Sequence, residues 1–113
     1  MKLAVVCDYS LRYTGGAQTA LMAQVRAWSQ QFPVVVIAPD IPRTHLPGVT
    51  VVRPPRGVRS LELPVVRANS VLHAWMHRTL KQHRVEAVMV HSEFGLAATA
   101  IAQAQRLRIP SMH

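Results

Sequence analysis

Three groups of residues in this chain have types and spacing that could do chemistry. Thr14-Gly15-Gly16-Ala17-Gln18 sets a glycine pair where a helix would begin. Free N–H groups and the positive end of a helix dipole gather at such a start, and glycine lets an anionic or sugar ligand approach the backbone closely. Neither the G-x-G-x-x-G dinucleotide pattern nor a phosphate loop with its Lys-Ser/Thr is present, so the pair serves either a ligand or only the turn. His91-Ser92-Glu93-Phe94-Gly95 is the second group. His91 and Glu93 suit acid, base or hydroxyl-binding roles. Simpler roles are a strand-end hydrogen bond for His91 and a complement to a helix dipole for Glu93.

The third group is basic. Arg53, Arg56, Arg59, Arg67, Arg78, Lys81 and Arg84 occupy a stretch whose only acid is Glu62. On a helix, His73, His77, Lys81 and Arg84 fall at i, i+4, i+8 and i+11, a stripe expected opposite Val71, Leu72, Trp75 and Met76. Such a stripe could meet anionic lipid headgroups or phosphates, or stay a solvated face. Aromatic residues for base stacking do not interleave with it, so nucleic acid is not expected as a partner. His73 and His77 also have the spacing of a metal pair, but no third ligand is evident and Lys81 would repel a cation, so no metal is expected. Cys7 reads as a small buried hydrophobe, Trp75 as core and Pro54-Pro55 as extended loop.

These groups need elements to hold them. Lys2 to Cys7 is a short, continuous apolar run and predicts a buried strand that ends at Asp8. Leu21, Val25, Trp28 and Phe32 fall at i, i+4, i+7 and i+11, which predicts an amphipathic helix over 17–32, stopped by Pro33. Val34 to Ala38 and Val49 to Val52 are β-branched runs and predict two more strands, with Ile41 to Gly48 as loop. From Pro54 to Val66 neither period holds. Asn69 or Ser70 caps a predicted helix to about Gln82. Ala87 to Val90 predicts a fourth strand, Leu96 to Leu107 an Ala-rich helix, and Ile109 the start of a fifth strand. Strands that are apolar throughout and alternate with helices make an α/β fold, a parallel sheet with flanking helices. Ligands in such sheets sit beyond the carboxyl ends of the strands, so the loops 8–16, 39–47 and 91–95 are the candidates.

Composition narrows the classes. The chain has 113 residues, 50% of them hydrophobic and 16% charged, with a net charge of +8. That length is one domain, apolar enough to fold. No apolar run approaches the roughly 20 residues that span a bilayer, and the first one is too short for a signal-peptide core. One cysteine allows no internal disulfide. A cytoplasmic location is expected, with a peripheral place at the inner face of the membrane for the basic stripe.

Lys2-Leu3-Ala4-Val5-Val6-Cys7-Asp8, Gly15-Gly16-Ala17-Gln18, Val88-Met89-Val90-His91-Ser92-Glu93-Phe94-Gly95-Leu96 and Arg108-Ile109-Pro110 together resemble the amino-terminal domain of glycosyltransferase family 4. The likeness covers nearly the whole chain and is loose over 53–67. It implies a retaining transferase of the GT-B fold, in which two Rossmann-like domains face each other across a cleft. Residues 1–113 would be part of the amino-terminal, acceptor-side domain; the carboxy-terminal domain, which binds the nucleotide-sugar donor, would be missing. The resemblance puts Gly15, Gly16 and Gln18 near the donor's diphosphate and sugar, and Tyr9, Arg59, His91, Glu93 and Phe94 near the acceptor, a lipid, a lipid-linked sugar or a sugar. Arg67, His73, His77, Lys81 and Arg84 would meet an anionic membrane surface. The family carries a histidine after its fifth strand, often in a His-Thr-x-His run, and His113 is similar to the first of that run. No cofactor or metal is implied beyond the nucleotide-sugar substrate. Without a donor domain the chain alone is expected to be inactive, because proximity of donor and acceptor is most of what such an enzyme supplies. Two other readings stand beside this one: a stand-alone Rossmann-like module that binds a phosphosugar or nucleotide, and a basic membrane or nucleic-acid interaction protein without catalysis.

Overall fold

The short apolar runs are strands and the amphipathic stretches are helices. The computed structural model of the chain describes residues 1–8, 16–39, 47–54, 70–91 and 95–112. In chain order the elements are β1 (Leu3–Val6), α1 (Gly16–Ser29), β2 (Val34–Ile37), β3 (Val49–Val52), α2 (Ser70–Gln82), β4 (Ala87–Val90), α3 (Gly95–Arg106) and β5 (Ser111–Met112). All pairings among them are parallel, in the order β3-β2-β1-β4-β5. The expected α/β, Rossmann-like architecture is the one observed. Helix α1 ends at Ser29, short of the expected Phe32, and the turn that follows closes with the Phe32 N–H donating to the Trp28 carbonyl.

Burial follows the strand period of two. Ala4, Val6, Val35, Ile37, Val88 and Val90 turn to the face covered by α2 and α3. Leu3, Val5, Val34, Val36 and Ala87 turn to the face covered by α1. Both faces of β1 and β2 are dry, so these strands read as unbroken apolar runs rather than alternating ones. Each large side chain so buried stabilises the fold by about 1.5–3 kcal/mol before chain entropy is counted. Cys7 belongs to the α1-side cluster, and Trp75 packs half-buried against the other.

Two helices end in the same way. After α2, Val85 N–H donates to the Leu80 carbonyl and Arg84 N–H to the Lys81 carbonyl, both at 3.1 Å, with Arg84 at φ 54°. After α3, Ile109 N–H donates to the Ala104 carbonyl at 2.8 Å and Arg108 N–H to the Gln105 carbonyl at 3.2 Å, with Arg108 at φ 58°. This is the left-handed cap that glycine usually makes, here formed twice by arginine. Glycine is kept where a side chain would be both strained and crowded: Gly48 has φ 79°, and a Cβ there would sit 3.2 Å from the Ser29 carbonyl oxygen.

Candidate functional site

The strand order decides which loops matter. From β1 the chain moves outward through β2 to β3, then crosses back to β4 on the other side of β1. The order therefore reverses between β1 and β4, and in open parallel sheets the ligand crevice lies at that switch point. Of the three loops expected from sequence, those after β1 and β4 flank it, whereas Pro39 ends β2, one strand away.

Asp8 organises this point. It lies two residues past the end of β1, is fully buried, and accepts from the Leu96 N–H at 2.6 Å and the Ala97 N–H at 3.3 Å. These amides belong to the first turn of α3, which has no acidic residue of its own. A buried carboxylate is tolerable here because free N–H groups and the positive end of the helix dipole stabilise it. The contact ties the carboxyl end of β1 to the start of the helix that follows β4. The His91 N–H adds a second tie, donating to the Val6 carbonyl at 3.0 Å. His91 itself is exposed and lines a groove of about 400 Å³ with Gln24, Trp28, Met89 and Val90. Gly16 is the first residue of α1.

Several expected site residues lie outside the described residues: Tyr9, Gly15, Arg59, Arg67, Glu93, Phe94 and His113, together with the Gln18 side chain. His91 and Gly16 are therefore the two members of the expected cleft whose positions are on view. Sequence reasoning passed over Asp8 as the residue where a loop begins. An acid directly behind a wholly apolar strand was the available signal, since such a group at a strand's carboxyl end must find donors.

The basic stripe is corrected. His73 and His77 are half-buried and face α3, where Gln103 Nε2 donates to His73 Nδ1 at 2.9 Å and His77 Nδ1 donates to Gln103 Oε1 at 3.1 Å. The buried arc of α2 is Leu72, Met76, Thr79 and Leu80, and the two histidines border it rather than oppose it. Val71, expected on the apolar side, is 58% exposed. At 3.6 residues per turn, positions 73 and 77 adjoin 76 and 80, while 71 lies across the helix. Lys81 is exposed as expected, but Arg84 is beyond the end of α2 in its left-handed cap and does not extend any helical stripe. Among the described residues there is no group of three or more His, Cys, Asp or Glu that could hold a metal ion.

The model of Glycosyltransferase Family 4 matches residues 14–113. The chain belongs to glycosyltransferase family 4. No curated protein and no solved structure matches it. The matched span includes Gly16 at the start of α1 and His91 just past β4, and leaves β1 and Asp8 outside. Among the described residues, no helix of this family 4 chain is long and apolar enough to cross a membrane.

Proposed function

We propose that this chain is the acceptor-side half of a retaining, GT-B-type glycosyltransferase that moves a sugar from a nucleotide-sugar to a lipid, lipid-linked sugar or sugar acceptor. The observation that carries the reading is the family 4 match across both loops of the β1/β4 switch point. In this reading the start of α1 at Gly16, with Gly15 and Gln18, faces the diphosphate and sugar of the donor. Backbone N–H groups and a helix dipole at that start suit negative charge that develops on the leaving diphosphate. His91, with Tyr9, Arg59, Glu93 and Phe94, orients the acceptor hydroxyl. Asp8 acts indirectly: by holding the start of α3 against β1 it sets the spacing between the two loops. His113 is the candidate for a catalytic group.

In this reading the donor is bound by a second domain that faces this one. The net charge of +8 suits a peripheral place on an anionic membrane surface, where a lipid acceptor would be found. A protein that joins this chain to a donor-binding domain is expected to move radiolabel from a nucleotide-sugar into an organic or oligosaccharide extract. Absence of transfer with every common nucleotide-sugar, from a protein that melts cooperatively, contradicts the reading.

A further inference from the structure

The contacts between α2 and α3 leave a second polar site, apart from the β1/β4 crevice. A groove of about 680 Å³ is lined by Ser70, His73, His77, Arg78, Gln103 and Arg106, with Ala74 beside them. Arg78 and Arg106 are exposed, and among the described residues neither has an acidic partner. The acids Asp8 and Glu86 do not line the groove. Lys81, exposed on the next turn of α2, adds to the same sign of charge.

Gln103 sets the chemistry of the two imidazoles. It is 3% exposed and spends both ends of its amide on them. An amide nitrogen only donates, so His73 Nδ1 must accept, which puts the proton of that ring on Nε2. An amide oxygen only accepts, so His77 Nδ1 must carry a proton. His77 can therefore gain a second proton, on Nε2, with its bond to Gln103 intact, whereas His73 cannot be doubly protonated without losing its own. Neither Nε2 has a partner among the described residues. With His77 charged, both outward nitrogens are donors, beside two guanidiniums and the Ser70 hydroxyl.

We infer that the α2/α3 groove is a binding site for a phosphate monoester group, held by Arg78, Arg106 and the Nε2–H donors of His73 and His77. Such a set matches a dianion: charge-assisted bonds from guanidinium and imidazolium are the strong ones, and among the described residues no carboxylate lines the groove.

The test is an NMR titration of the full chain at fixed pH 7 and matched ionic strength, following the imidazole ¹⁵N resonances. Inorganic phosphate and glycerol phosphate are the soluble probes, sodium chloride is the control, and phosphatidylcholine vesicles with and without phosphatidate test a bilayer source. The expected result is a saturable shift of the outward Nε2 resonances of His73 and His77, with His73 keeping a pyridine-type Nδ1. Arg78→Gln and Arg106→Gln, both at exposed positions, should each weaken binding about tenfold with unchanged melting. Saturation with the soluble probes assigns a free ester; saturation only with phosphatidate vesicles assigns a headgroup, and both support a phosphate site. Shifts that match chloride, or that persist in the Arg78→Gln/Arg106→Gln double variant, overturn it.

Discussion

The two faces of the sheet are covered to different depths. On one, α2 and α3 bury Leu72, Met76, Leu80, Leu96, Ala97, Ala100 and Ala104 completely. On the other, α1 buries Leu21 and Val25 but leaves Met22, Trp28, Phe32 and Met89 half-exposed, and Trp28 and Met89 line the small groove beside His91. Two helices packed on each other and on the sheet make a face that resists deformation, because a close-packed interior leaves side chains no alternative positions. Among the described residues a single helix covers the other face, which leaves room to rearrange. The difference assigns stability mainly to the α2/α3 side and leaves the groove beside His91 at the margin of the core.

Substitutions can break this contrast. Leu80→Ala, at a site closed on all sides, should lower unfolding free energy by about 4 kcal/mol, and Leu21→Ala on the α1 side by about 2–3 kcal/mol, since the looser face can partly close the cavity. Equal losses in chemical denaturation would remove the distinction between the faces. Asp8→Asn bridges them, because it keeps the shape of the side chain but turns one accepting oxygen into a donor facing an N–H. A loss of about 1.5–3 kcal/mol is expected, with faster hydrogen exchange at Leu96 and Ala97. The smallest effect has the opposite sign. Arg84→Gly and Arg108→Gly should each stabilise the chain by about 1 kcal/mol in thermal unfolding, since glycine holds the left-handed cap without strain. Destabilisation by either would mean that the arginine side chain contributes more than its backbone costs.

Much of the fold was legible because burial and period coincide. Val34-Val35-Val36-Ile37 can hardly be anything but a doubly buried strand, and Ser70 to Gln82 begins and ends where capping chemistry puts it. The site was legible only as a set of loops. Nothing local in the sequence says that β4 rather than β3 lies beside β1, and that neighbour relation is what singles out the β1/β4 end. Asp8 and Leu96 are 88 positions apart, so their bond is invisible to any window along the chain. The α2 stripe misled for a related reason. Histidine spacing shows which residues share a side, but which side is dry depended on Gln103, a polar residue buried on another helix.

The central claim is that the β1/β4 end of this sheet works on a nucleotide-sugar. Its most direct test is sugar transfer by Gly16→Val in a protein that carries both this chain and a donor-binding domain, measured beside Arg78→Gln from the distant groove. Gly16→Val is expected to lose turnover by at least about a hundredfold while folding normally, and Arg78→Gln to retain it. Full turnover in Gly16→Val would contradict the account, because the start of α1 would then be no part of the cleft.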